Sequence, residues 1–185
     1  SKAKPLKKVG MKAQDTCELY FENVRVPQSN LLGEVEGQGF VQLMRELAWE
    51  RLIISILSVS GARAAMQHTL DYTRDRKVWG QPVANYQNPR FKLAEMKTDI
   101  EIGQVFVDRC IEEILEGKLT PEAAAAAKLW TSELLCRVVD EGVQLHGGYG
   151  YMLEYPIAKA YVDSRAGRIY GGTNEIMKEL IARSL

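Results

Sequence analysis

The spacing of hydrophobic and polar residues changes near Gly37. Before that position, the stretch CELYFENVRVP alternates apolar and polar residues and ends at Pro27, which predicts a β-strand that runs into a turn. One or two strands are not stable alone in water. We therefore expect residues 1–36 to be the end of a sheet whose other strands lie outside this chain, so that the chain begins within a larger protein.

Helical spacing dominates the rest of the chain. It predicts three long helices, separated by breaks at Gly80 with Pro82 and at Gly117, and two short helices after them. The predicted ranges are 40–76, 88–115, 121 to the HGGYG stretch, 157–166 and 174–184. Long helices with short connections predict a mainly α domain at residues 37–185, organised as a helix bundle.

Composition excludes several classes of function. The 185 residues include 24 Lys and Arg against 24 Asp and Glu, so the chain has no net basic field that would hold nucleic acid. No apolar run reaches the roughly 18 residues that a membrane span requires. Three widely spaced cysteines and two histidines give neither a disulfide framework nor a metal-ligand cluster. We expect a soluble, intracellular protein without a metal site.

Glu50 interrupts the apolar face of the first predicted helix. At about 100° per residue, Leu43, Leu47, Ile54 and Leu57 form that face, and Glu50 projects from its middle. A buried carboxylate is costly unless it is paired or protonated, and a carboxylate held in this way is a candidate general base. A structural ion pair with an arginine from another helix, or a position at the margin of the core, explains the same pattern. The spacing alone leaves these interpretations open.

Two glycine pairs lie at predicted helix ends. Gly171 and Gly172 directly precede the last helix, where Thr173 or Asn174 can cap the first turn and the helix N-terminus favours anionic groups. The stretch QLHGGYGY ends the third helix. Its glycines either let a flat or phosphate-bearing ligand approach the backbone or simply form a C-cap and a turn. The stretch RDRKVWGQ likewise suits either a nucleotide or a solvated helix end.

Six stretches of the sequence together carry a resemblance to a known family. They are ERL, RKVWGQ, LAEMKTDIE, QLHGGYGY, EYPIAKAYVD and IYGGTNEIMKELIAR. In this order and at this spacing they resemble the C-terminal half of the acyl-CoA dehydrogenase family. The resemblance implies that residues 37–185 form the family's C-terminal four-helix-bundle domain, and that residues 1–36 are a remnant of its middle β-domain. It also implies FAD as cofactor and the oxidation of acyl-CoA to trans-2-enoyl-CoA.

The resemblance also indicates where the catalytic base lies. Most members of the family carry the catalytic glutamate at the position that Gly171 occupies here. The long-chain and isovaleryl branches carry it instead at the position that matches Glu50, so the resemblance implies Glu50 as the base that takes the α-proton. The stretches EYPIAKAYVD and YGGTNEIMKELIAR are more similar to the long-chain branch. Longer straight-chain acyl-CoA is therefore the expected substrate.

The resemblance assigns further residues by position. Arg51 is expected to contact the CoA portion, and the backbone of Gly171 and Gly172 to lie along the thioester. The residues expected to hold FAD are Arg76, Trp79, Gln87, Gln144, Leu145, His146, Gly147, Gly148, Thr173, Asn174 and Glu175. Many relatives have Thr or Ser where this chain has Val78, so one hydrogen bond to the flavin is absent from the expected set.

Partners and location follow from the same resemblance. Two subunits are expected to share each flavin in a homotetramer that is a dimer of dimers, with electron-transfer flavoprotein as the acceptor. The location is expected to be the bacterial cytoplasm or the mitochondrial matrix. Because the domain that normally covers the flavin ring is missing, we expect this chain alone to be inactive or weakly active. The alternatives are a non-catalytic helical oligomerisation module without flavin, and a flavin-dependent acyl-CoA oxidase.

Overall fold

Five α-helices make up most of the part of the chain that the computed structural model describes, residues 1–33 and 35–185. Glu34, in the polar stretch at the predicted domain boundary, lies outside the described residues. The helices are α1 (Gly39–Asp75), α2 (Gln87–Leu115), α3 (Pro121–His146), α4 (Pro156–Ser164) and α5 (Asn174–Ala182). The predicted mainly α fold is confirmed, and the helix bounds agree with the predicted ones to within two residues.

Local signals explain why α3 begins and ends where it does. The hydroxyl of Thr120 accepts a hydrogen bond of 3.1 Å from the backbone N–H of Ala123, and Pro121 occupies the first turn, where a missing N–H is tolerated. At the other end, Gly147 adopts φ 59°, a left-handed conformation that ends the helix. The sequence therefore determines both ends of α3 locally.

The core lies around α3, which packs most extensively against α1 and also contacts α2, α4 and α5. The absence of a side chain at Gly142 of α3 allows neighbouring helices to pack closely against it. A Cβ there would lie 2.6 Å from the Cδ1 of Ile157 and 2.8 Å from the Oγ1 of Thr69. The buried apolar residues of this core are Leu52, Val59, Ala62, Ala65, Met96, Ile100, Val107, Cys110, Ala127, Leu134, Val138, Val139 and Ile157.

A short hairpin joins α1 to α2, and the sequence patterns did not predict it. Strand β1 (Lys77–Val78) pairs antiparallel with β2 (Gln81–Pro82). The two turn residues, Trp79 and Gly80, have φ values of 48° and 84°, as a two-residue turn of type I′ requires. The indole of Trp79 is 90% exposed at the tip of this hairpin. The break predicted at Gly80 and Pro82 is therefore an ordered turn.

The strand predicted from CELYFENVRVP is wrong as a continuous strand. Leu19 forms a single antiparallel bridge with Lys2, and the N–H of Ala3 donates to the carbonyl of Glu18 at 2.9 Å. Beyond Tyr20 the described residues provide no strand partner, and apolar side chains such as Phe21 are exposed. An alternating pattern forms a strand only where a neighbouring strand accepts its hydrogen bonds. The domain boundary between residues 36 and 37 stays a prediction.

Within residues 1–33 and 35–185, no helix combines the length and the hydropathy needed to cross a membrane. The same described residues contain no cluster of three or more histidine, cysteine or acidic side chains that is arranged to hold a metal ion.

Candidate active site between α1 and the start of α5

The loop before α5 consists of two glycines in left-handed conformations. Gly171 has φ 66° and Gly172 has φ 94°, values that residues other than glycine rarely adopt. Thr173 then caps α5, because its hydroxyl accepts a hydrogen bond of 3.4 Å from the N–H of Ile176. Glu175 lies exposed in the first helical turn. The predicted cap and glycine loop are therefore both present.

The loop contacts α1 through Ile54 and Arg51. A Cβ added at Gly171 would overlap the Cδ1 of Ile54, so the space that a side chain at position 171 would need is occupied. Arg51 is only 6% exposed, and its Nε donates a hydrogen bond of 3.4 Å to the carbonyl of Gly171. Burial lowers the pKa of the Arg51 guanidinium, while the charge of Glu50 acts in the opposite direction.

Glu50 does not lie in the core, and of the predicted apolar stripe on α1 only Ile54 is buried. Glu50, Leu43 and Leu57 are exposed. The buried face of α1 is centred roughly 100° away around the helix. It consists largely of small side chains, and its members are Arg51, Leu52, Ile54, Ser55, Ser58, Val59, Ala62, Ala65, Thr69 and Thr73. A stripe defined by large apolar residues misses a helix contact made by Ser, Ala and Thr.

Glu50 instead lines a surface groove of about 520 Å³. The groove lies between α1 and the segment that precedes it, with Leu31, Leu32 and Gln42 among its lining residues and Glu46 one helical turn from Glu50. An exposed carboxylate beside a mostly apolar groove is accessible to a ligand that enters the groove. Sequence reasoning therefore identified a residue on an accessible surface but assigned it the wrong environment.

A buried lysine holds the other side of the glycine loop. Lys128 of α3 is 0% exposed, and its Nζ donates to the carbonyl of Gly172 at 2.7 Å and to Oδ1 of Asn174 at 2.8 Å. Asn174 also donates through Nδ2 to Ser132 at 3.1 Å and to Glu133 at 2.8 Å. The side chain of Asn174 is therefore engaged within the protein, so a contact from this residue to a ligand would come from its backbone.

Sequence reasoning missed Lys128, although the sequence contained a signal for it. Lys128 follows Ala124 by four residues and precedes Ser132 by four, so it lies on the same face of the Ala-rich helix as small, buried side chains. A lysine on a buried face is rare unless it is paired. Glu50 was singled out as a charged residue on a buried helix face. Lys128 is the residue that fits this description in the structure.

A second group of predicted residues lies at the other end of α3. A cleft of about 590 Å³ is lined by Arg76, Gln144, Leu145, His146, Gly147 and Gly148, together with aromatic neighbours. A Cβ added at Gly147 or Gly148 would meet no atom within 4 Å, so the backbone there faces open space. The guanidinium carbon of Arg76 lies 5.8 Å from the ring centroid of Tyr149. The cleft therefore offers a cation, an aromatic wall and accessible backbone.

His146 supports this cleft from within the protein. Its Nδ1–H donates to the carbonyl of Gly142 at 2.6 Å, and its ring stacks on Tyr72 with centroids 4.2 Å apart. The hydroxyl of Tyr72 donates to the carbonyl of His146 at 3.1 Å. Burial lowers the pKa of His146, although the hydrogen bond to Gly142 acts in the opposite direction. Tyr72 is a residue of this site that sequence reasoning missed.

The remaining predicted residues surround these two groups. Trp79 is at the tip of the hairpin, and its ring meets that of Tyr86 edge to face at 6.2 Å. Gln87 is exposed at the first position of α2, and Thr173 is half-buried at the start of α5. The structure thus brings Arg76 and residues 144–148 together, and it places Arg51 with Gly171 and Gly172 in a separate group.

Comparison with known proteins identifies a family model and relatives that match the chain. Residues 37–185 match the family model described as acyl-CoA dehydrogenase, C-terminal domain. The chain is 54% identical over 184 residues to the mitochondrial long-chain specific acyl-CoA dehydrogenase of Rattus norvegicus, covering 100% of this chain and 43% of that protein. It is 39% identical over 169 residues to the short-chain specific acyl-CoA dehydrogenase of Megasphaera elsdenii, covering 91% of this chain and 44% of that protein.

The fold is shared with solved structures of similar proteins. The crystal structure of acyl-CoA dehydrogenase from Geobacillus kaustophilus matches with a TM-score of 0.96 at 47% identity, covering 100% of this chain and 48% of that one. The chain therefore spans less than half the length of these relatives. The family model, the sequence identities and the shared fold agree, and the chain belongs to the acyl-CoA dehydrogenase family, with residues 37–185 matching its C-terminal domain.

Proposed function

We propose that this chain supplies the C-terminal domain of an enzyme that uses FAD to oxidise long-chain acyl-CoA to trans-2-enoyl-CoA, with Glu50 as general base. The observation that carries the proposal is the contact between α1 and the glycine loop. Arg51, next to Glu50, donates to the carbonyl of Gly171, and Ile54, one turn beyond Glu50, fills the space beside Gly171. The part of α1 that bears Glu50 therefore borders the loop expected to lie along the thioester.

The chemistry requires two hydrogens to leave the acyl chain. Glu50 takes the α-proton, and the β-hydrogen leaves with its electron pair as hydride. FAD, if held by the residues named below, would supply the two-electron acceptor for that hydride. The substrate would enter the groove that Glu50 lines, which brings the α-carbon next to the carboxylate. The backbone N–H groups of the glycine loop would orient the thioester carbonyl, as donors aimed at developing charge do.

The second group of residues fits part of FAD. Open space beside Gly147 and Gly148 leaves room for a bulky ligand against the backbone, and Arg76 supplies a cation suited to a pyrophosphate. The N-terminus of α5 adds a further position that favours an anionic group. The residues proposed to hold FAD are Arg76, Trp79, Gln87, Gln144, Leu145, His146, Gly147, Gly148, Thr173, Asn174 and Glu175.

The substrate class, partners and location of the complete protein are part of the same proposal. Its support is the 54% identity to a relative named as long-chain specific and mitochondrial. We propose a homotetramer in which two subunits share each flavin, with electron-transfer flavoprotein as the acceptor. The proposed location is the mitochondrial matrix or the bacterial cytoplasm.

An anaerobic visible spectrum tests the function directly. The complete protein is purified with added FAD, and the spectrum is recorded before and after a long-chain acyl-CoA is added. Flavin absorbance that is present and then bleaches supports the dehydrogenase. Oxygen uptake with acyl-CoA, in the absence of another acceptor, would indicate an oxidase instead. A folded protein that retains no flavin would favour a non-catalytic helical module.

Glu50→Gln tests the role of the base. The variant keeps the size of the side chain but cannot take a proton, so we expect flavin and substrate to bind while flavin reduction slows by roughly 10²- to 10⁴-fold. Single-turnover bleaching of the flavin measures this step. Glu46→Gln is the matched control, because it makes the same change one turn earlier in the same groove. If Glu46→Gln is slowed and Glu50→Gln is not, the base is Glu46.

A further inference from the structure

Lys128 is a fully buried cation whose hydrogen bonds converge on the glycine loop. Its Nζ contacts the carbonyl of Gly172 at 2.7 Å and Oδ1 of Asn174 at 2.8 Å, so it anchors the chain on both sides of the cap residue Thr173. Arg51 anchors the preceding carbonyl, that of Gly171, from α1. Two successive glycines in left-handed conformations have wide conformational freedom, and these contacts restrict it.

The burial of this charge requires an explanation beyond packing. A buried ammonium is costly, and an apolar side chain of similar volume would pack at the same position without that cost. The charged groups around Lys128 come from three helices: Arg51 of α1, Glu133 of α3 and Glu175 of α5. Glu133 is also paired with Arg168 at 2.6 Å, in the turn between α4 and α5. Burial and the charge of Arg51 lower the pKa of Lys128 from 10.5 to about 8.

We propose that Lys128 is a positioning residue for the dehydrogenation, because it fixes the Gly171–Gly172 backbone and the start of α5 relative to the helix that carries Glu50. This inference rests on the proposed function for its kinetic consequences. Its structural consequence, an ordered glycine loop, does not depend on that function. Lys128 does not contact the reacting atoms; it acts through the backbone expected to orient the thioester. A displacement of about 1 Å in such a group can slow a reaction by about 10²-fold.

The kinetic test compares three variants of the complete protein. Lys128→Met removes the cation at nearly constant volume, and we expect flavin reduction to slow by about 10²-fold. Lys128→Arg keeps a cation and should recover part of the rate. Lys92→Met is the control, because Lys92 pairs with Glu141 at 2.8 Å and has no contact with the loop. Wild-type turnover by Lys128→Met would overturn the inference and leave the proposed function intact.

The pH profile separates positioning from a purely structural role. In the wild type, we expect turnover to decrease as pH rises through about 8, because Lys128 loses its charge there. Lys128→Arg should move this decrease to higher pH, since a guanidinium stays protonated. This comparison holds even if Lys128→Met fails to fold. A decrease that stays near pH 8 in Lys128→Arg would overturn the inference.

Amide hydrogen exchange tests the loop without any assay of activity. In Lys128→Met we expect faster exchange in residues 171–176, and in Lys128→Arg, which keeps a cation, a smaller increase. Residues 134–143 of α3 should keep their exchange rates, and Lys92→Met should match the wild type. Unchanged exchange in the loop would overturn the inference. If the loop exchanges faster but the wild-type flavin never bleaches with acyl-CoA, the proposed function fails while the anchoring role stands.

Discussion

His146 shows how a single residue combines burial, stacking and a hydrogen bond. It is 4% exposed, stacks on Tyr72 and donates to the carbonyl of Gly142 one turn earlier. Burial lowers its pKa below the ordinary value of 6.5, so the folded protein holds the ring neutral at pH values where the unfolded chain binds a proton. The residue is therefore a packed support of the cleft, and its titration affects stability.

This pKa shift predicts a loss of stability in acid. As pH falls below about 6.5, His146 binds a proton in the unfolded state but not in the folded state. The free energy of unfolding therefore decreases until the pH reaches the lower pKa of the folded state. His146→Phe keeps a ring against Tyr72 but cannot titrate. For the wild type we expect a lower urea midpoint at pH 5.5 than at pH 7.5. In His146→Phe we expect this decrease to be smaller, because the contribution of His146 is gone.

The control for this prediction is the other histidine. His68 is exposed on α1, and its charge is the smallest of the causes that shift the pKa of His146, so His68→Gln should change the acid dependence much less than His146→Phe does. If His146→Phe shows the same acid dependence as the wild type, the titrating group lies elsewhere in the chain.

Predictions from the sequence were weakest for the environment of individual side chains. The spacing of large apolar residues placed Glu50 on a buried face, whereas the helix contact uses Ser55, Ser58 and Ala62. Those small residues carry little weight in a hydrophobic pattern, although they allow helices to approach closely. The error for Lys128 was the reverse: it was not predicted to be buried, because a charged residue within an Ala-rich helix is ordinarily assigned to the surface.

The helices themselves could be predicted almost completely. Their ends depend on local signals, such as Thr120 with Pro121 and the left-handed Gly147, which the sequence displays directly. The β1–β2 hairpin was not predicted, because its turn places Trp79 in a left-handed conformation that is unusual for a bulky residue. The residues beyond Tyr20 show the opposite failure, a strand that was predicted but does not form. Their alternating pattern is typical of a strand, but a strand also needs a neighbouring strand as hydrogen-bond partner.

The packing of α3 against its neighbours predicts the effect of Gly142→Ala. The added methyl group gains about 1 kcal/mol of helix propensity. It would also lie 2.6 Å from the Cδ1 of Ile157 and 2.8 Å from the Oγ1 of Thr69, and such overpacking costs about 1–3 kcal/mol. We expect a net decrease of about 1 kcal/mol in the free energy of unfolding, measured by urea denaturation.

A glycine with more room provides the matched control. At Gly61 of α1, a Cβ would lie 3.3 Å from the Cδ1 of Leu135, which is a tight but tolerable contact. Gly61→Ala should therefore be neutral or slightly stabilising. A Gly142→Ala variant at least as stable as the wild type would show that Ile157 and Thr69 move aside without cost.

Two of the proposed cofactor residues, Trp79 and Gln87, are exposed on the surface of the molecule. Trp79 projects almost fully exposed from the hairpin, and Gln87 is exposed at the start of α2. Neither residue is among those that line the cleft with Arg76, which is consistent with a flavin held jointly by two subunits. Assembly and cofactor binding should then be coupled.

This coupling predicts that FAD stabilises the oligomer. A ligand that binds the assembled form shifts the equilibrium towards it, so added FAD should raise the mass of the complete protein at a fixed low concentration. Light scattering after gel filtration measures the mass, and absorbance of the same peak measures the flavin. A monomer that retains a full complement of flavin would contradict the proposal that two subunits share it.

The contact between Gly171 and Ile54 limits how this site can evolve. The family resemblance implies that other members keep their base at the position of Gly171. Here a substitution to glutamate would meet both a left-handed backbone and the side chain of Ile54. A side chain at position 171 therefore requires a strained backbone and a shift of the Ile54 side chain. Substitutions at positions 54 and 171 should accordingly be coupled: a smaller residue at position 54 makes room for a side chain at position 171.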